Sequence, residues 1–172
     1  ALIDDRKLET KDLMKFIKGP DFPTGGQITN SKKELRDIYE TGQGGVRLRG
    51  EWKTESGGKG GDKIIVTSIP FALQKSTVIE RIAEVVTGKK LPMVVDVRDE
   101  STDDVRIVLE LKPGGDPNLV MAYLFKHTPL KTGSHVNLTC LVPTDNKEIA
   151  GPLRVDLAAM LREFIEFRQE TV

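Results

Sequence analysis

Hydrophobic residues recur along the chain with two different periods, which predict an alternation of helices and hairpins. Apolar positions spaced three or four apart predict helices at 11–17, 32–41, 77–87 and 117–124, and a last helix that begins at about Leu153. Alternating apolar and polar residues predict one strand from Val46 to Lys53 and a last strand from Val136 to Val142. The β-branched run at 63–69 and the apolar runs at 93–97 and 105–111 supply the remaining strands of two hairpins.

Local signals mark where several of these helices begin and end. Ser31 and Glu34 have the spacing of a capping box, and Gly42 ends the helix that they open. Thr10 is placed to cap the first helix, and the last helix follows Gly151 and has no stop signal before the chain ends. Hairpins interspersed with helices predict an α+β fold of two layers, in which helices cover an antiparallel or mixed sheet.

The composition is typical of a globular protein. The 172 residues include 26 Lys and Arg against 26 Asp and Glu, and this balance excludes a uniformly basic coat protein. Residues 1–90 hold 17 of the basic and 13 of the acidic residues, a mild basic surplus. Cys140 is the single cysteine, so an intramolecular disulfide is excluded, and no apolar run has the ~20 residues of a membrane span. We expect a cytoplasmic chain without membrane contact, cut from a longer polypeptide because it opens ALIDDRKLET without Met.

Candidate catalytic groups are scarce. His127 and His135 are the two histidines, and with one cysteine they give no zinc-ligand spacing. The glycine run GGKGGDK lacks the residue order of a phosphate-binding loop, and the acidic turn RDESTDD has the composition of a solvated hairpin connection. Tyr39 and Tyr123 both fall on apolar helix faces, where packing is the ordinary role. We therefore expect no catalytic residue and no metal site in this chain.

Several long motifs occur together in one order along the chain. They are KGPDFPTGG at 18–26, ELRDIYETGQGGVRLRGEWK at 34–53, VRDES at 97–101, FKHTPL at 125–130 and VNL at 136–138. Across essentially the whole chain they resemble the breakage–reunion subunit of bacterial type II topoisomerases, which is the A subunit of DNA gyrase or topoisomerase IV. The GEWK motif and LPMVVDVRDES at 91–101 are more similar to the topoisomerase IV branch.

The resemblance implies a part of that protein without its cleavage chemistry. It implies an entry helix and GPDFPT loop at 1–30, an α+β tower domain at 31–150, and the start of a coiled-coil helix at 151–172. The tyrosine that the family links to DNA lies in a winged-helix domain upstream, and neither Tyr39 nor Tyr123 matches its motif. The chain alone is therefore expected to be inactive and to bind no cofactor, while the parent complex uses Mg²⁺ and ATP through its B subunit.

The role implied for the tower is to bind and bend the gate DNA while a second duplex passes through it. Ile28 in GGQITN best matches the family isoleucine that wedges between base pairs, where the cost of unstacking is repaid by more protein contact with bent DNA. On its residues alone, Ile28 fits packing against the following helix equally well. Arginine side chains and helix N-terminal groups suit phosphate contacts. The predicted DNA-contact set is Gln27, Ile28, Thr29, Asn30, Lys32, Lys33, Arg47 and Arg49.

The implied partners are double-stranded DNA, the B subunit and a second A subunit in a heterotetramer. The family dimer gate lies beyond Val172, so this piece alone is expected to be a monomer. Two alternatives stand beside the DNA-bending hypothesis. One is a structural module that positions the coiled coil and makes little DNA contact of its own, and the other is the equivalent region of the gyrase A subunit. A self-contained hydrolase has no catalytic constellation to support it.

Overall fold

The computed structural model describes residues 1–57, 61–144 and 150–172, which form two compact units. The first unit comprises Ala1–Pro20, Asn30–Val46 and Ser134–Val172, and the second comprises Asp21–Thr29 and Arg47–Gly133. The helices in the described ranges are α1 (Thr10–Leu13), α2 (Lys32–Thr41), α3 (Lys75–Thr87), α4 (Pro117–His127) and α5 (Leu157–Thr171). The strands are β1 (Gln27–Ile28), β2 (Gln43–Arg49), β3 (Trp52–Glu55), β4 (Lys63–Val66), β5 (Val94–Asp99), β6 (Ile107–Leu111), β7 (Lys131–Asn137), β8 (Thr139–Pro143) and β9 (Ala150–Arg154).

The second unit is built on an antiparallel sheet with the strand order β3-β4-β6-β5. Ile64 of β4 and Leu109 of β6 lie directly opposite each other and are fully buried. They share one hydrophobic core with Ile82 of α3 and Leu124 of α4, so both helices cover the same face of the sheet. The α+β class and the two predicted hairpins are thereby confirmed, although the connection predicted between β3 and β4 includes residues 58–60, which lie outside the described ranges.

The first unit contains α1, α2 and α5. The capping box that opens α2 is present, since the Ser31 hydroxyl accepts a hydrogen bond from the Glu34 amide and the Glu34 carboxylate accepts one from the Ser31 amide. Gly42 ends α2 in the left-handed conformation, as glycine does at many helix ends. Leu13 of α1 packs with Ala158 of α5 in a small core. Thr10, predicted as a cap, is instead the first residue of α1 and makes no capping bond.

The strand predicted from Val46 to Lys53 is wrong as a single element, because the chain leaves one sheet and enters another at Gly50. β2 pairs with β1, whereas β3 pairs with β4 in the four-stranded sheet. The Gly50 amide donates to the carbonyl of Leu130, and a Cβ on Gly50 would lie 2.5 Å from the carbonyl oxygen of Ser68. The strand breaks here because glycine permits this close backbone contact, which the alternation of side chains does not reveal.

The predicted end of the chain also needs correction. The last helix begins at Leu157 rather than at about Leu153, because Gly151 lies in β9 and pairs there with β8. The carboxylate of Asp156 accepts a hydrogen bond from the Ala159 amide and opens α5. The strand predicted from Val136 to Val142 is interrupted at Leu138. The Leu138 amide donates to the carbonyl of Gly42, and the Leu138 carbonyl accepts a hydrogen bond from the Val155 amide.

Candidate nucleic-acid interface

Ile28 lies on a short strand that follows a tight, glycine-rich turn in the second unit. The turn is closed by a 3.0 Å hydrogen bond from the Gly25 amide to the Phe22 carbonyl, and Gly25 and Gly26 have φ angles of +70° and +99°. β1 then pairs antiparallel with β2, with Ile28 opposite Leu48. Leu48 is fully buried, whereas Ile28 is half-buried, so part of the isoleucine side chain faces solvent.

The polar residues beside Ile28 are tied to β2. Gln27 lies opposite Arg49, and its side-chain oxygen accepts hydrogen bonds from Nε and Nη2 of that arginine at 2.8 and 2.5 Å. Thr29 donates to the carbonyl of Arg47 through its amide at 2.8 Å and through its hydroxyl at 3.3 Å. These bonds hold the residues on both sides of Ile28 while the Arg47 side chain is exposed on β2.

Arg49 makes a second contact that the sequence did not indicate. Its guanidinium carbon lies 5.6 Å from the centre of the Phe125 ring, a distance at which a cation and an aromatic face attract each other. Phe125 belongs to α4 and packs against the main core of the unit. Because the same guanidinium also bonds Gln27, the Arg49 side chain links the Ile28 strand to that core. No spacing in the sequence pairs Phe125 with Arg49, so sequence analysis missed it.

Three members of the predicted set lie in the first unit. The Asn30 side-chain amide donates to the carbonyl of Gly45 at 3.0 Å. Lys32 and Lys33 are exposed in the first turn of α2. Ser31 and Glu34 satisfy each other's amides in the capping box at 3.2 and 2.6 Å, so the lysine ammonium groups are the solvent-facing charges that this helix end offers to an anion.

The two tyrosines are placed as packing residues. Tyr39 is 4% exposed, and burial raises the pKa of its phenol. Within the described ranges its hydroxyl has no hydrogen-bond partner. Tyr123 stacks on His127 with ring centres 4.2 Å apart.

Residues 1–57, 61–144 and 150–172 contain no group of three or more His, Cys, Asp or Glu side chains arranged to hold a metal ion. Across the same ranges, every helix is too short or too polar to cross a bilayer.

Comparison with known proteins gives the class that the motifs indicated. A family model described as DNA gyrase/topoisomerase IV (A subunit) matches residues 1–172, and the chain belongs to this family. Within it, the chain is 42% identical over 172 residues to the DNA topoisomerase 4 A subunit of Rickettsia felis, a match that covers 99% of this chain and 23% of that relative. The same protein of Caulobacter vibrioides is 40% identical over 164 residues, 95% of this chain and 21% of the relative.

Gyrase relatives are similar to a comparable degree. The DNA gyrase A subunit of Kosmotoga olearia is 39% identical over 175 residues, which is 100% of this chain and 20% of that relative. The resemblance inferred from the motifs is thereby confirmed. The chain spans about a quarter or less of the length of the curated relatives it matches.

Proposed function

We propose that this chain is the tower region of the A subunit of a bacterial type II topoisomerase, and that it binds and bends the gate DNA duplex. Family membership supports the class of protein. The observation that carries the DNA role is the placement of Ile28, a half-buried apolar residue on a short strand whose neighbours Gln27 and Thr29 are fixed to β2. The GEWK motif and LPMVVDVRDES at 91–101 favour the topoisomerase IV branch over gyrase.

Ile28 acts as a wedge that enters the minor groove between two base pairs. Separating stacked bases costs a few kcal/mol per step, and bent DNA repays this cost by touching more of the protein. Lys32, Lys33, Arg47 and Arg49 contact the backbone phosphates. Gln27, Thr29 and Asn30 supply polar contacts near the wedge. Phosphate contacts of this kind fix position without reading sequence.

The remainder of the reaction belongs to the parent complex. The tyrosine that joins DNA lies outside this chain, which by itself is inactive and binds no cofactor. The B subunit supplies the Mg²⁺ and ATP chemistry, a second A subunit completes the heterotetramer, and the complex relaxes and decatenates DNA in the cytoplasm. The isolated chain is a monomer, and light scattering tests that statement.

A second function is favoured by the exposed apolar face of α5. Phe164 and Phe167 are 60% and 63% exposed, one helical turn apart, as expected for a helix that continues into a coiled coil. In this alternative the chain mainly positions the coiled-coil dimer gate and makes little DNA contact of its own.

DNA bending by the reconstituted enzyme distinguishes the two functions. The parent A and B subunits are mixed with a duplex that carries a fluorescence donor and acceptor at its ends, and energy transfer is measured in the bound complex. Ile28→Ala should lower energy transfer and DNA cleavage, whereas Leu119→Ala, which truncates an exposed leucine of α4, should leave both unchanged. Wild-type bending by a folded Ile28→Ala variant would overturn the wedge and favour the positioning role.

A further inference from the structure

The turn that leads to Ile28 is restricted at Pro23 but ends in two glycines that add little stiffness. Gly25 and Gly26 both adopt positive φ, a conformation that glycine reaches without strain and also leaves without strain. The strand after the turn contains two residues, and its ladder with β2 is correspondingly short. A segment of this kind keeps one direction only if neighbouring parts of the molecule hold it: β2 holds β1 through Gln27 and Thr29, and the turn needs a neighbour of its own.

Such a neighbour is the segment from Ser68 to Phe71. The Phe22 ring, at the start of the turn, meets the Phe71 ring with centres 5.7 Å apart and planes tilted by 43°. This separation is in the range at which aromatic rings attract each other. A Cβ built on Gly25 would lie 3.8 Å from the Cβ of Ser68, so the turn lies against this segment at both of its ends.

The Ser68–Phe71 segment is fixed to the core of the second unit. The Ser68 hydroxyl accepts a 2.8 Å hydrogen bond from the Glu51 amide, and Ser68 and Ile69 are each 6% exposed. Ile69 is part of the same core as the four-stranded sheet, and Pro70 is buried beside it. Phe71 therefore projects from a support that does not move easily.

Two features of this corner have no explanation in core packing. Phe71 is 41% exposed although it directly follows three buried residues. Ala72 then takes a φ of +64°, a left-handed conformation that is costly for a residue with a Cβ. A strained conformation of this kind persists only where the surrounding structure holds it in place.

We propose that Phe71 is a positioning residue for DNA bending, which holds the 22–25 turn through Phe22 and so fixes the direction in which β1 presents Ile28. This inference rests on the proposed function. An inserted wedge is pushed back by the base pairs that it separates, and a turn with two consecutive positive-φ glycines would yield to that force. Contact with Phe71 transfers the force to the core of the second unit. Phe71 does not itself touch the DNA in this scheme.

The test uses the parent A and B subunits and the end-labelled duplex described above, with bending measured in the saturated complex. Four variants are compared with the wild type: Phe71→Ala, Phe71→Tyr, Ile28→Ala and the double variant Phe71→Ala/Ile28→Ala. Phe71→Ala should reduce the ratio of bent to unbent complex about threefold to tenfold, the range that loss of one aromatic pair allows. Phe71→Tyr keeps the aromatic ring and should bend DNA as the wild type does. In the Ile28→Ala background, Phe71→Ala should have no further effect, because no wedge is left to position.

Each contrary result has a separate meaning. Unchanged bending by Ile28→Ala would overturn the proposed wedge itself, whatever Phe71 does. Reduced bending by Ile28→Ala together with wild-type bending by Phe71→Ala would overturn this inference alone. A further loss in the double variant would mean that Phe71 contacts DNA directly and would also overturn it. If Phe71→Ala fails to fold, Phe22→Ala removes the same ring contact from the turn side and must give the same reduction.

Discussion

Arg106 and Glu55 form a bidentate ion pair on the face of the four-stranded sheet that α3 and α4 do not cover. Nη1 and Nη2 of the arginine lie 3.2 and 2.9 Å from the two carboxylate oxygens. Glu55 ends β3, Arg106 directly precedes β6, and β4 lies between these two strands. Ile65 of β4 lies on the same face and is fully buried. Hydrogen bonds from Arg106 and then from Lys53 lower the pKa of Glu55 from 4.5 to about 2. The ion pair therefore stays charged well into the acid range.

The Glu55 pKa predicts how the stability of this chain depends on pH. A carboxyl whose pKa is lower in the folded state binds fewer protons there than in the unfolded state, so its contribution is present above about pH 4.5. That contribution is lost as the pH falls from about 4.5 towards 2. Glu55→Gln should therefore lower the free energy of unfolding near pH 6 and have progressively less effect below pH 4.5, as measured by urea unfolding at several pH values.

An exposed glutamate of α3 provides the control for this series. Glu80 forms no ion pair within the described ranges, so Glu80→Gln should change the free energy of unfolding little. If Glu55→Gln lowers the free energy of unfolding equally at pH 6 and at pH 2.5, the loss of stability does not come from the Arg106 ion pair. Added salt should also reduce the Glu55→Gln effect, because both side chains are partly exposed and their attraction is screened.

Gly42 should tolerate no side chain. Its φ is +71°, and a Cβ there would lie 2.2 Å from the carbonyl oxygen of Val155, which is backbone and cannot turn aside. Strain and displacement together predict that Gly42→Ala lowers the free energy of unfolding by about 2–4 kcal/mol. Thermal or urea unfolding measures the loss. Gly45→Ala is the matched control in β2, since a Cβ there meets no atom within 4 Å and should change stability by less than about 1 kcal/mol.

The capping box of α2 gives a prediction with a built-in rescue. Ser31→Ala removes the acceptor for the Glu34 amide and should cost about 1 kcal/mol, the usual value for loss of an N-cap. Ser31→Asp keeps an acceptor at the same position and adds a negative charge at the positive end of the helix dipole, so it should retain most of the stability. Equal losses in the two variants, measured by chemical unfolding, would show that the cap does not stabilise this helix.

Phosphate contacts predict a measurable salt dependence of DNA binding. Each contact adds about −0.9 to the slope of log affinity against log salt for a B-form duplex. Arg47→Gln and Lys33→Gln should each make the slope less steep by about that amount, when anisotropy of a ~30 base-pair duplex is followed over several salt concentrations. Lys112→Gln removes an exposed charge beyond the end of β6 and serves as the control. If Arg47→Gln and Lys33→Gln give the same slope as the wild type, Arg47 and Lys33 do not contact phosphates.

Sequence patterns predicted the elements whose stability is local. The helix at α2 followed from the Ser31 and Glu34 capping box and from Gly42, because caps and turns depend on residues a few positions apart. The hairpins followed from an alternating segment, a β-branched run and two apolar runs that end at turn residues. The family followed from motifs in a fixed order, and comparison with known proteins confirmed it.

Tertiary structure decided the features that depend on residues far apart in the chain. Alternation cannot show that Gly50 lies against the Ser68 carbonyl, and this contact divides one predicted strand into two. Nor could alternation show that β9 pairs with β8, so that α5 begins only at Leu157. At the candidate interface, the sequence by itself determined which residues surround Ile28. The fold determined what holds them, since the partners Phe125 and Phe71 are brought near by packing of the core rather than by any spacing along the chain.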